Sequence, residues 1–250
     1  MRKIIFLTFL ISSITMFSNI SSAQTDYEHD VFDTSVGKLE LWFIGHGTLM
    51  FKIGGIVIHI DPVTREGDYT LLPGADLVLI THSHGDHLDP KALNMICDNN
   101  TTVICNEASA DKIDNPVILN NGESIDLNDK FGFQLSIEAV PAYNIKHERS
   151  PGNPFHPKGD GNGYVITAGD KRIYIAGDTE DIPEMSELKN IDIAFLPMNL
   201  PYTMSPEMAA KAAKMFNPVV LYPYHFGSTN TDELVQLLNG SNIDVRIRKL

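Results

Sequence analysis

Thr81-His82-Ser83-His84-Gly85-Asp86-His87-Leu88-Asp89 is the stretch from which the rest of the chain is read. Three imidazoles and a carboxylate fall between positions 82 and 87. Rings crowded in this way repel one another when protonated and are costly to desolvate without a shared partner. A divalent metal ion is such a partner, because zinc accepts neutral imidazole and carboxylate, and neighbouring ligands on a tight turn can be divided between two ions. A solvated His-rich turn is the plainer alternative. Against it stands the unbroken apolar run Leu77-Val78-Leu79-Ile80, the pattern of a strand buried on both faces. The cluster then lies at the carboxyl end of a strand, where ligand sites of α/β sheets gather.

Working outward, residues 38–43, 49–53 and 56–60 read as short strands separated by the turns Gly45-His46-Gly47 and Gly54-Gly55. After the cluster, Asp89-Pro90 starts a helix, residues 102–105 a strand, 108–113 a short helix and 131–140 a strand. The second half repeats the logic, with a hairpin of residues 163–167 and 172–176 around Gly169-Asp170 and buried strands at 191–196 and 219–223. Ser205-Pro206-Glu207 opens a helix with Ser at the N-cap, Pro at N1 and an acid near the positive end of the dipole. A last helix spans 231–238, and a last strand 243–247. Two mixed sheets with helices outside follow, a four-layer αββα sandwich.

Of the 250 residues, the first 23 read as a secretory signal peptide: Arg2 and Lys3, an apolar stretch to Phe17, then Ser21-Ser22-Ala23 as the cleavage site. The apolar stretch is short and broken by Thr8, Ser12, Ser13 and Thr15, so no stable membrane anchor is expected after cleavage. Residues 24–250 then form one domain in a periplasmic or secreted protein. The net charge of -13 disfavours nucleic acid as a partner and leaves a small-molecule substrate. Cys97 and Cys105 sit in apolar contexts that suit free thiols as well as a disulfide.

With these residues in view, the chain resembles the metallo-β-lactamase-fold hydrolases: His82-x-His84-x-Asp86-His87, Gly177-Asp178-Thr179 and Tyr224-His225 follow three strands in the order of that superfamily's metal motifs. Gly45-His46-Gly47, Ile60-Asp61-Pro62 and Thr203-Met204 before a helix are similar to the branch containing ascorbate-6-phosphate lactonase and N-acylphosphatidylethanolamine phospholipase D. The resemblance implies two divalent ions, zinc first with manganese or iron as alternatives. His82, His84 and a midchain histidine would hold one, Asp86, His87 and His225 the other, and Asp178 would bridge them. His46 and Asp61 would orient ligands by hydrogen bonding, and Asp86 would also be catalytic.

The midchain ligand departs from many relatives, which have Ala-x-His where this chain has Ala142-Tyr143-Asn144. Asn144 is a poor zinc ligand. His147 and His156 are the candidates, and His156, before Pro157-Lys158, is preferred. Tyr143, Tyr202 and Lys158 flank the site, whereas His29 and His59 read as structural.

No Gly-x-Ser-x-Gly elbow, phosphate-binding glycine loop or dinucleotide fingerprint occurs. The reaction expected is therefore hydrolysis of a lactone, amide or ester-like bond by a metal-bound hydroxide. The alternatives are a phosphodiesterase or phospholipase D-like hydrolase on the same site, and, ranked lower, a metal-binding protein without turnover.

Overall fold

A computed structural model describes residues 27–250. The expected signal peptide, residues 1–23, lies outside the described residues.

The first sheet contains β1 (His29–Thr34), β2 (Gly37–Gly45), β3 (Thr48–Ile53), β4 (Ile56–Ile60), β5 (Leu77–Leu79), β6 (Thr102–Cys105) and β7 (Val117–Ile118), side by side in chain order. Its first four strands run antiparallel to their neighbours, and from β4 onward the pairing is parallel. The second sheet contains β8 (Ser124–Asp126), β9 (Leu135–Pro141), β12 (Asn162–Ala168), β13 (Lys171–Ile175), β14 (Ile193–Pro197), β15 (Val220–Tyr224) and β16 (Asp244–Val245), with the same change from antiparallel to parallel at β13. A ribbon of β10 (Glu148–Ser150) and β11 (Asn153–Pro154) stands apart from both.

The inner faces meet in one core, where Leu41, Phe43, Phe51, Ile58 and Leu79 face Ile137, Tyr164, Ile175, Phe195 and Tyr222. Aromatic stacking fills its centre, with Phe195 and Tyr222 centroids 5.2 Å apart. β5 and β14 are apolar without alternation because their outer faces are covered as well. On the first sheet, α1 (Pro90–Ile96) buries Ala92, Leu93 and Ile96 against Val78 and Ile80. On the second, α3 (Pro206–Phe216) lays Ala209, Ala213 and Phe216 on Tyr174 and Leu196. α4 (Thr231–Leu237) adds Leu234 to that layer. The layers are helix, sheet, sheet and helix, as the sequence leads one to expect.

Caps set the helix ends. Asp89 accepts from Lys91 N at 2.9 Å and starts α1, while Ser205 accepts from Met208 N at 3.2 Å and starts α3, which stops at left-handed Asn217.

Local differences from the sequence reading have local causes. The strand expected from residue 131 begins at Leu135, because α2 (Asn128–Phe131) makes one helical turn that ends on Gly132 at φ 77°. The short helix near residue 108 is 3₁₀, Glu107–Lys112, capped by Asn106. Cys97 and Cys105 are free thiols. No helix among the described residues is long and apolar enough to cross a membrane.

Candidate metal centre

The site lies where both sheets present the carboxyl ends of their strands. His46 follows β2, Asp61 follows β4, His82 to His87 follow β5, Asp178 follows β13 and His225 follows β15. Bonds across the sheets fix this edge: Asn162 N donates to Thr81 O at 2.8 Å, Tyr164 OH to Ile80 O at 2.7 Å, and His225 N to His46 O at 2.9 Å. His46, Asp61 and His225 all adopt left-handed backbone, with φ between 46° and 50°. That conformation is uncommon outside glycine and is held here by the surrounding contacts. Gly47 has no freedom to change, since a Cβ there would stand 2.9 Å from His87 Cε1.

Six histidine side chains converge on buried Asp178 and on Asp86. Asp178 Oδ2 lies 3.2 Å from His156 Nε2, 3.5 Å from His225 Nε2 and 4.0 Å from His82 Nε2, and Asp178 Oδ1 is 3.5 Å from His87 Nε2. His82 Nε2 and His84 Nδ1 approach to 3.0 Å. Asp86 Oδ2 lies 3.6 Å from His225 Nε2, 3.5 Å from His46 Nε2 and 3.9 Å from His87 Nε2. Three sets of ligand-capable atoms result: His82, His84 and His156; His46, Asp86 and His225; His82, His87 and Asp178.

His46, expected to orient a neighbour, thus stands among the groups able to ligate, with its ring 3.7 Å from that of His225. Asp61 does orient. It accepts from Thr81 N at 2.7 Å, from Thr81 Oγ1 at 2.6 Å and from His87 Nδ1 at 2.7 Å. Because the Thr81 hydroxyl gives its proton to Asp61, it is left to accept from His82 Nδ1 at 3.1 Å. Both rings then turn the lone pair of Nε2 inward.

Position 144 works in the same way. Asn144 Oδ1 accepts from His156 Nδ1 at 2.8 Å and from His156 N at 2.7 Å, which aims His156 Nε2 at Asp178. Asn144 is in turn held through its Nδ2 by Glu180 Oε1 at 3.1 Å and Tyr202 O at 2.9 Å. Glu180 also takes the Nδ1 of His147 at 2.7 Å, so His147 faces Glu180 while His156 faces the centre. The sequence did not announce that Asn144, itself held by Glu180, braces His156. The available signal was the pairing of a carboxylate two positions after Asp178 with an amide where the resemblance leads one to expect histidine. His156→Ala is expected to lower zinc content per chain, and His147→Ala to leave it within error of wild type. Elemental analysis of the purified variants checks this, and equal losses would break the assignment.

The remaining candidates are accounted for elsewhere. Lys158 pairs with Glu184 at 2.6 Å beneath the Tyr143 hydroxyl, which bonds the same carboxylate at 3.0 Å. His59 bonds Pro73 O at 3.1 Å, and burial drops its pKa to about 4. His29 stacks on Trp42 at 4.4 Å. Tyr202 lines the cleft over the centre, a space of about 470 Å³ shared with His46, His84, Asp86, Arg149 and Asn199.

The electrostatics suit a cation. Burial opposes ionisation of Asp178, yet the charges of His225 and His87 and a bond from His156 hold its carboxyl well below the usual range. Burial likewise opposes charge on His87, but Asp178 and Asp61 raise its pKa to about 9. Burial and the neighbouring His87 charge push His82 well below the ordinary imidazole value. Asp178 Oδ1, His87 Nε2 and His225 Nε2 are buried without a hydrogen-bond partner. Each such group costs about 1–3 kcal/mol unless something takes its lone pair. The donor set, five or more imidazoles around two carboxylates, fits a borderline divalent ion.

The profile described as "Beta-lactamase superfamily domain" matches residues 40–225. The chain belongs to the beta-lactamase superfamily. Among its relatives in this superfamily, a UPF0173 metal-dependent hydrolase of Enterococcus faecalis is 32% identical over 204 residues, 77% of this chain and 88% of that protein. A crystal structure from Parabacteroides distasonis, provisionally named a metal-dependent hydrolase, is 49% identical with a TM-score of 0.84, covering 90% of this chain and 99% of the other. Igni18, a metallo hydrolase from Ignicoccus hospitalis, is 26% identical with a TM-score of 0.68, covering 84% of this chain and 95% of its own.

Proposed function

We propose that this metal-dependent hydrolase is exported, holds two divalent cations, zinc by the chemistry of its donors, and cleaves a lactone, amide or other ester-like bond in a small molecule. The observation that carries the reading is the position of Asp178 between the two sets of histidines: its Oδ2 faces His156 and His82 of one set and His225 of the other, and its Oδ1 faces His87. His82, His84 and His156 would hold one ion, Asp86, His87 and His225 the other with His46 beside them, and Asp178 both.

Bound divalent ions supply Lewis acidity and lower the pKa of a water to about 7. The protein's own groups do the rest. Asp61, Thr81 and Asn144 take the Nδ1 protons of His87, His82 and His156 and fix the rings, so that a bound ion would displace any proton from Nε2 and take its lone pair. Asp86 is the more open carboxylate, 35% exposed against 4% for Asp178, and faces the cleft. It is placed to accept the proton lost by the attacking water and to return it to the leaving group as the scissile bond breaks.

The mature protein is expected to carry up to two divalent ions per chain, to lose lactone or ester hydrolysis on chelation and to regain it on zinc addition. Full hydrolysis by metal-free protein would overturn the reading. A parallel panel with phosphodiesters tests the bond type, since preferential phosphodiester cleavage would replace the ester assignment.

A further inference from the structure

The ribbon carries a cation that none of these roles uses. Arg149, in β10, lines the cleft over the centre, with its guanidinium 5.2 Å from the Phe155 ring centroid and its Nη2 3.2 Å from His84 Nε2. Arg65, Arg172, Arg246 and Arg248 each form an ion pair with a carboxylate, whereas Arg149 has none among the described residues. In a chain of net charge -13, a guanidinium left without a carboxylate and braced on an aromatic face at a cleft mouth offers its fork to something outside the protein.

Its one polar neighbour does not satisfy it once the centre is loaded. His84 turns Nδ1 inward, toward His82 Nε2 and within the trio that includes His156. A neutral imidazole that gives its Nδ1 lone pair to a cation keeps its proton on Nε2. At 3.2 Å, Nε2 and Nη2 would then face each other as two donors, and the guanidinium N–H groups turn to an acceptor in the cleft. The acidic groups lining that cleft are Asp86 and Asp178, both already surrounded by histidines, while Asn199 and Tyr202 are neutral.

The geometry points to an anion-binding subsite: Arg149 receives a carboxylate or phosphate group carried by the substrate beside its scissile bond. This assignment rests on the hydrolase reading above and narrows it to anionic substrates. The two sources of anionic oxygen differ in shape and charge, and the probes below separate them.

The test titrates zinc-loaded wild type, Arg149→Gln and Arg149→Lys with phenyl phosphate and with benzoate by calorimetry, and measures zinc content of each protein. Arg149→Gln is expected to weaken the preferred anion by about 10- to 100-fold, the value of a charge-assisted bidentate contact, with zinc content unchanged. Arg149→Lys should recover part of that loss, because it keeps the charge without the fork. In kinetics, KM for mono-4-nitrophenyl succinate rises by a similar factor, and KM for the uncharged 4-nitrophenyl acetate rises by much less. Unchanged anion binding in Arg149→Gln overturns the subsite. A fall in zinc content overturns it too, by making Arg149 a prop for His84. Absence of turnover with either ester sinks the hydrolase reading alone, since the calorimetric arm needs no turnover.

Discussion

Asp178→Asn is expected to cut hydrolysis by about a thousandfold or more and to leave less than one divalent ion per chain, because several kcal/mol of charge stabilisation disappear with one carboxylate. The substitution keeps the side chain's shape but removes the one charge that faces His156, His225 and His87 at 3.2–3.5 Å. It also turns amide protons toward atoms that are all meant to face a cation. Asp86 cannot substitute, since it approaches His46, His87 and His225 but pairs with none of His82, His84 or His156. Elemental analysis, single-turnover kinetics and far-UV circular dichroism on one preparation decide the matter. A folded variant with two ions and near-normal turnover would remove Asp178 from the role given to it.

Glu180→Gln should be the next most damaging change, although Glu180 touches no candidate ion. The buried Glu180 carboxylate accepts from Ile145 N at 2.9 Å, Lys146 N at 2.8 Å, His147 N at 2.8 Å, His147 Nδ1 at 2.7 Å and Asn144 Nδ2 at 3.1 Å. Glutamine replaces one of its oxygens by a donor, which would then confront donors, and about 3 kcal/mol of unfolding free energy is the expected loss. Because Asn144 loses its brace, His156 is less well aimed, and zinc affinity should fall by about 10- to 100-fold. Burial opposes ionisation of Glu180, yet the bonds from His147, Asn144, Ile145 and Lys146 outweigh it and lower its pKa below 4.5. The stability gap between wild type and variant is therefore fully present above the unfolded value near 4.5 and closes as pH falls through the lowered folded value. Urea unfolding at pH 7 and in acid, with chelator competition for zinc, measures both effects. Wild-type zinc affinity in the folded variant would show that Glu180 serves the loop and not the centre.

The strands beside the site were legible because each ends in residues with no other explanation: an apolar run followed by His82 to His87, Ile175-Ala176 followed by Gly177-Asp178, and Tyr224 followed by His225. Helix starts were legible from Asp89-Pro90 and Ser205-Pro206, whose caps act within four residues. What could not be read depends on partners distant in sequence. Asn144 looked like a lost ligand because its service to His156 lies 12 residues away and its brace, Glu180, 36 residues away. The same holds for His46, whose place beside Asp86 and His225 follows from left-handed turns that bring β2 and β15 together. The ribbon and β1 escaped notice because their alternation is too short, or too polar, to stand out from a loop.

The ligand-capable groups come from both sheets, His46 and His82 to His87 from the first, Asp178 and His225 from the second, with His156 from the loop between the ribbon and β12. Any ion shared between them is consequently a clasp across the seam of the sandwich. The resistance of this protein to heat then becomes a function of its surroundings: each tenfold rise in free metal above the dissociation constant adds about 1.4 kcal/mol to the folded state. A metal-starved compartment would weaken the same molecule without altering a single residue.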